Sequence, residues 1–332
     1  SPVIESCRSR SSCWLASSTS QTRARGESTS RRLDEVTAAS TLARVRLSEI
    51  SRANSTTSRS RFALAAASSA RDASTCCWSF SDALMVAPLG EATLAAVTTG
   101  ALDVLCCVML PMGVMFILQS FAAQLGGRGD FVTARRYATY GLSLAVVGGL
   151  VFLAAVPFLD ELIGSLGYAP DVEVQMIDYV RIRIYSVTAI LGVEALNNWY
   201  GGLGNTRISL VAGVSIMVLN VLGNYLLVEP RFGLPGYGAA GSAWASTLAS
   251  YVGFFLVLFL FLTGRGHSAP RVPLEFRLPE VKRMLRFGLP SGVNYFLEFA
   301  AFMLFINVVV GHLGTTVLAA FNVVFQINSL SF

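Results

Sequence analysis

The chain has 332 residues, of which 53% are hydrophobic and only 14% charged, with a mean hydropathy of +0.58. This composition excludes an ordinary soluble domain and places the chain with polytopic membrane proteins. The net charge of +5 does not alter that reading: residues 1–75 hold twelve arginines against six acidic residues, while the remainder holds thirteen basic against fourteen acidic, so the whole excess sits in the first stretch.

Residues 1–75 are rich in Ser, Arg, Ala and Thr, as in SCRSRSSCWLASSTSQTRARGESTSRRL, and show no sustained apolar period. Too little apolar surface is available there to offset the entropy of ordering, so a disordered extension, or sequence foreign to the natural protein, is expected. A transit peptide or a nucleic-acid-binding arm is the functional alternative, but no regular aromatic spacing supports it, and no nucleic-acid partner is expected. The six cysteines are Cys7, Cys13 and the adjacent pairs Cys76/Cys77 and Cys106/Cys107, with two histidines in the chain. That spacing fits no metal centre, so they read as core or lipid-facing side chains.

From about Cys76 onward, eight apolar segments of roughly membrane-spanning length follow one another. They centre on residues 76–98, 104–124, 138–159, 183–202, 208–228, 239–263, 287–311 and 316–332, which makes the fold all-α, a polytopic helix bundle. The connections after the second, fourth and sixth segments carry ten basic residues: Arg128, Arg135, Arg136, Arg207, Arg265, Arg271, Arg277, Lys282, Arg283 and Arg286. The alternate connections carry three, Arg231 with Arg181 and Arg183 at a helix entrance. The positive-inside rule then puts the even-numbered connections and the N-terminus in the cytoplasm, for a multi-pass protein of the inner membrane. Four regions are expected: an extension over 1–75, a six-helix bundle over 76–263, a cytoplasmic link over 264–285 lying along the membrane surface, and the start of a second bundle over 286–332. In the sixth segment Gly241, Ala245, Ala249 and Gly253 recur every four residues, a stripe for close helix packing. Pro88, Pro111, Pro157 and Pro290 mark expected kinks.

Polar groups inside these segments are the candidate functional residues, because an ionisable side chain at bilayer depth costs about 2.5–3.5 kcal/mol on insertion scales and usually faces a bundle interior or an aqueous cavity. Glu298 is the acid of the seventh segment, with Ser291 and Asn294 on the same helix face. A fixed buried hydrogen bond or a helix cap is the structural alternative. Asp82 is the acid of the first segment. In the fifth, Asn220 and Asn224 share a face at i,i+4; their amides either complete a cation's shell beside a carboxylate or bond between helices. The fourth holds Glu194, Asn197 and Asn198 beside Trp199 and Tyr200, whose rings suit an interfacial belt as well as ligand stacking. Ser291, Asn294, Glu194 and Asn198 are cavity candidates. Glu91 and Asp103 are expected to flank the first outer turn in solvent, and Gln119 and Gln124 to bond between helices.

The pattern LGxxxLAA occurs twice, as LGEATLAA at Leu89–Ala96 and as LGTTVLAA at Leu313–Ala320, so the chain contains an internal repeat of the kind secondary transporters use. Asp82 precedes its LG pair by seven residues and Glu298 precedes its own by fifteen, so the two acids are not simple equivalents. No Walker loop, HExxH or GxSxG is present, which leaves no support for ATP-driven transport or hydrolysis; the protein is not expected to be an enzyme. The work then has to come from an ion gradient acting on a buried carboxylate.

The runs FSDALMVAPLGEATLAAV, AAQLGGRGD, YGGLGNTRISL, LNVLGNYLL with GLPGYGAAGSAWAS, and FGLPSGVNYFLEF with HLGTTVLAAFNVVFQINSLSF occur in this order over residues 79–332. In that combination the chain resembles the multidrug and toxic compound extrusion (MATE) transporters, most closely their NorM-like branch. The resemblance implies two six-helix bundles related by a pseudo-two-fold axis, of which this chain carries the first bundle and the first two helices of the second. It further implies that Asp82 is the first-helix acid of an N-terminal cation site, that Asn220 and Asn224 are the fifth-helix pair facing it, and that Glu298 is the seventh-helix acid of the NorM-like branch. The family's twelve helices and its acidic tenth-helix partner for Glu298 run beyond this sequence, and the first helix's N-terminal part is replaced by the Ser/Arg-rich tail, so a truncated fragment is expected. The implied function is Na⁺- or H⁺-coupled antiport of organic, cationic, drug-like compounds by a monomer in the bilayer, with no cofactor. A lipid-linked saccharide flippase of the same superfamily is the alternative; such proteins line their cavity with arginines, and no Arg is expected mid-segment here. A non-transporting membrane fragment is the third reading.

Overall fold

The computed structural model describes residues 81–230, 235–266 and 275–330, all within one compact unit. The Ser/Arg-rich stretch, with Cys7, Cys13, Cys76 and Cys77, lies outside them.

Residues 81–86 form α1, followed by a 3₁₀ turn at Ala87–Leu89. Then come α2 (Glu91–Gly127), α3 (Phe131–Ala155), the short α4 (Leu159–Gly164), α5 (Pro170–Tyr185), α6 (Val187–Gly202), α7 (Thr206–Leu227), α8 (Gly238–Thr263), α9 (Leu278–Leu304) and α10 (Thr315–Leu330). A π-helical turn, Phe305–Val310, and a 3₁₀ turn, Gly311–Leu313, join the last two. No strand occurs among the described residues. Five helical stretches, Glu91–Gly127, Phe131–Gly164, Thr206–Leu227, Gly238–Thr263 and Leu278–Leu313, are long and apolar enough to cross a membrane. Their outward faces are apolar as well: Val147, Leu150 and Val151 on α3, Val211 and Val218 on α7, Phe255 and Phe259 on α8 and Leu297 on α9 are exposed. A water-facing surface does not carry such a band, and a lipid-facing one requires it. This is a multi-pass membrane bundle.

Two segment boundaries differ from the sequence expectation. The first apolar segment, 76–98, is not one helix: the chain turns at Ala87–Leu89 and Gly90, and residues 91–98 belong to the 37-residue α2. Pro88 lacks the N–H that would continue α1, and Gly90 has φ +116°, open to glycine and strained for other residues. The second LG pair repeats the device, with the 3₁₀ turn Gly311–Leu313 ahead of Gly314 at φ +106°. The fourth segment, expected over 183–202, starts at Pro170 and consists of α5 and α6 joined at Ser186. Sequence hydropathy missed α5 because Asp171, Glu173, Asp178, Arg181 and Arg183 dilute it.

Helix α2 is the centre of the bundle, packing on α3, α5, α6, α9 and α10. It meets α9 through glycine: a Cβ on Gly113 would overlap Gly292, and one on Gly292 would overlap the Leu110 carbonyl. Helices α7 and α8 pair the same way, with Gly241 against Leu227 and Gly253 against Ile216, so the small-residue stripe is used for packing. Trp199 and Tyr200 are fully buried rather than interfacial; Trp199 donates to the Ala134 carbonyl at 2.7 Å and packs edge-on against Phe261.

Candidate cation site

Asp82 on α1 is buried, 8% exposed, and two other helices supply its hydrogen-bond partners. From α7, Asn224 Nδ2 donates to Oδ1 at 2.5 Å; from α8, the Ser246 hydroxyl donates to Oδ2 at 3.1 Å. Asn220, one turn before Asn224, donates to Ser246 Oγ at 2.8 Å and so reaches the carboxylate through that hydroxyl. Asn224 Nδ2 further bonds Asn220 Oδ1 at 3.1 Å, which ties the two amides into one unit on a single face of α7. Asn220, Asn224 and Ser246 are all at most 1% exposed.

One atom of this cluster lacks a partner. Asn224 Oδ1 is buried with no hydrogen bond. A buried amide carbonyl left unpaired costs about 1–3 kcal/mol, a penalty that water or a cation at this oxygen would remove. Carboxylate, amide and hydroxyl oxygens together make a hard donor set, suited to a small cation of the first column or to a proton.

The charge that faces Asp82 from within the chain is Arg183. The sequence placed it at a helix entrance among loop cations and found no Arg in mid-segment; in the structure it is buried on α5, 7% exposed, within electrostatic range of Asp82. Its Nη1 donates to Ser186 Oγ at 3.1 Å, and Tyr179 lies one turn earlier on the same helix. Burial is tolerated because the guanidinium has an acid and several acceptors around it.

The other candidates lie elsewhere. Glu194 and Asn198 bond each other along α6, Asn198 Nδ2 to Glu194 Oε1 at 2.8 Å; Asn197 and Asn198 are buried and Glu194 is half-buried. Glu298 and Asn294 are on an exposed face of α9, with Ser291 half-buried on the same face. Among the described residues, none of those three makes a side-chain hydrogen bond or ion pair. Glu91 does flank a solvated turn, exposed at the start of α2 after Gly90, with Oε2 accepting from Thr316 Oγ1 at 2.6 Å, whereas Asp103 does not: it is inside α2, bonded by Asn307. Sequence reading missed Ser246, one serine among several in GSAWASTLAS, and Arg183, hidden by its acidic, weakly hydrophobic helix.

Comparison with known proteins gives a consistent result. The family model described as MatE matches residues 71–226. A protein named "Probable multidrug resistance protein NorM" from Chromobacterium violaceum is 28% identical over 260 residues, covering 76% of this chain and 55% of that protein. The multidrug resistance protein NorM of Vibrio cholerae is 27% identical over 256 residues, 76% of this chain and 56% of its own length. The chain thus spans about half the length of the curated relatives it matches. A solved structure titled as the inward-facing conformation of a multidrug resistance MATE family transporter of the MOP superfamily superposes with a TM-score of 0.66 at 22% identity, covering 76% of this chain and 57% of that one.

Proposed function

The chain belongs to the MATE family, and we propose that it serves ion-coupled export, in which Na⁺ or H⁺ taken up at Asp82 with Asn220 and Asn224 drives expulsion of organic cations. The observation that carries this reading is the Asp82 cluster itself: a buried carboxylate shared by α1, α7 and α8, with the Asn224 carbonyl oxygen left over for an ion. Each of those oxygens prefers a cation, and three separate helices feel its arrival. A cation that binds one helix arrangement better than another shifts the population toward it, which is what exchange of ion for substrate requires.

Arg183 fits the scheme as an internal counter-charge. A guanidinium bonded to Ser186 and lying within electrostatic range of Asp82 is a poor anion receptor, which favours export of cations over flipping of an anionic lipid-linked sugar. Glu298, on the exposed face of α9, is proposed as a second coupling acid, with Asn294 and Ser291 beside it and Glu194 and Asn198 as polar cavity groups. The setting is the inner membrane, with the N-terminus and the α2–α3, α6–α7 and α8–α9 connections on the cytoplasmic side and the protein acting as a monomer.

The test is accumulation of ethidium in inverted vesicles from cells expressing the gene, under imposed Na⁺ or proton gradients. Gradient-driven uptake is expected to be lost in Asp82→Asn and reduced at least tenfold in Asn224→Leu. Uptake in Asp82→Asn equal to the unsubstituted protein would overturn the assignment, and the gradient that drives uptake names the ion.

A further inference from the structure

A second polar network, formed by half-buried Asp103 with buried Asn307 and Tyr168, stands apart from Asp82. Asp103 lies about three turns into α2, and its Oδ1 accepts a hydrogen bond from Asn307 Nδ2 at 2.9 Å. Asn307 is 7% exposed, and its Oδ1 accepts from the Tyr168 hydroxyl, in the α4–α5 connection, at 2.6 Å. Asn307 belongs to the π-helical turn Phe305–Val310, where i→i+5 bonding widens the helix and re-aims its side chains. Such turns recur at functional sites. The internal repeat points to the same place. Its two copies are 224 positions apart, so the position matching Asp82 is Ile306, inside this turn and next to Asn307. At the position matching the first repeat's carboxylate the second repeat carries Ile306; the amide is its neighbour Asn307, and α2 supplies the acid.

The surroundings of Asp103 differ from those of Asp82. Around Asp103 stand the Cys106 and Cys107 thiols on its own helix, Asn307 from the π turn and Tyr168 from the connection, and His312 lies against Gly167, next to Tyr168 in the chain. Among the described residues no arginine or lysine pairs with it, whereas Asp82 faces Arg183. An ionised carboxylate inside a bundle with only an amide for support lacks a compensating charge.

We propose that Asp103 is a second site for a small monovalent cation, Na⁺ or H⁺, independent of Asp82, with Asn307 holding the carboxylate toward the incoming ion. The site stands or falls separately from the Asp82 reading.

Infrared difference spectroscopy of the purified chain in nanodiscs, titrated with acid and separately with NaCl at fixed pH, tests it. A carboxyl band pair belonging to Asp103 is expected to persist in Asp82→Asn, where the Asp82 pair is lost, and to be missing from Asp103→Asn, which keeps the Asp82 pair. Asn307→Ala retains Asp103 and so reads the same band in a chain that has not lost the acid; there the band is expected to shift in frequency and midpoint. A response to NaCl identifies Na⁺ as a ligand, and a response to acid alone identifies the proton. Spectra of Asp103→Asn superimposable on the unsubstituted chain in both titrations, or an unmoved band in Asn307→Ala, would overturn the proposal.

Discussion

Asn322 Nδ2 on α10 donates to the Thr98 hydroxyl on α2 at 3.0 Å, across 224 positions, the separation of Gly90 from Gly314. Residues at matching positions of a repeat touch each other only near the axis that relates the copies. Glu91 with Thr316 and Thr99 with Asn322, each one position off that separation, flank the same line. These contacts bring matching or near-matching positions of the two repeat copies together between α2 and α10 at Thr98. Both residues are buried, so the bond is shielded from water, and a double-mutant cycle on Thr98→Val and Asn322→Ala is expected to give a coupling of about 1 kcal/mol in unfolding of the purified chain. A coupling near zero would mean that Thr99, which Asn322 also bonds at 2.9 Å, holds the helices alone.

The α2–α9 crossing makes a sharper stability prediction. Gly113 faces Gly292 backbone to backbone, and Gly288 faces Val114, so an added methyl has no flexible neighbour to displace. Gly113→Ala and Gly292→Ala are each expected to destabilise by about 1–3 kcal/mol through forced separation of the helices. Gly127→Ala, at the end of α2 with open space around it, is expected to be neutral or slightly stabilising. Melting temperatures of the three variants in one detergent decide it; equal losses at all three would refute the crossing.

Much of this architecture was legible in the sequence, and what was missed has physical causes. Apolar length located the long helices, because a bilayer imposes it on each one. The i,i+4 spacing put Asn220 and Asn224 on one face, and the family resemblance set that pair against Asp82; the three residues do converge, since an ionisable group in a bundle needs such company. Hydropathy misread α5, whose acids and arginines are partly satisfied inside the protein or at its surface, as Arg181 is by Asp160 at 2.7 Å. It also misread Asp103, because a carboxylate beside a break in apolar character looks like a turn when the true break is the Pro88–Gly90 device one helix end earlier. The π turn has no signal in composition or period, and only the backbone shows it.

The connection into α9 is held by a clamp that predicts its own proteolytic sensitivity. The Tyr140 hydroxyl donates to Glu280 Oε2 at 2.8 Å and accepts from the Arg277 backbone N–H at 3.2 Å, while Arg136 Nη1 lies 3.3 Å from Glu280 Oε1. The Arg136 and Glu280 side chains are 13% and 20% exposed, so this pair is screened less than a surface ion pair. Glu280→Ala leaves Arg136 and Tyr140 without their shared acceptor and is expected to cost about 1–3 kcal/mol locally. Cleavage in the α8–α9 connection by a protease should then rise about tenfold or more. An unchanged rate in Glu280→Ala would show that the connection is held by other contacts.

The start of α3 carries a pH dependence whose sign is fixed by its cap. Asp130 precedes the helix, and its carboxylate accepts from the Thr133 backbone N–H at 3.1 Å. Hydrogen bonds from the Thr133 side chain and backbone hold this carboxyl below the ordinary carboxylate range. A group whose value is lowered on folding contributes stability that is complete above its unfolded value, about 3.9, and is lost as pH falls through the folded value. Asp130→Ala should therefore lower stability by about 1 kcal/mol at neutral pH, the usual worth of an N-cap. The difference in melting temperature should persist down to about pH 5 and close at more acidic pH, where the unsubstituted cap is protonated as well. Asp130→Asn separates charge from capping, because the amide oxygen accepts the same bond without titrating: it should track the unsubstituted protein closely at neutral pH and hold its stability into acid. A gap between Asp130→Ala and the unsubstituted chain that stays constant to pH 3 would assign the effect to helix propensity rather than to the carboxylate.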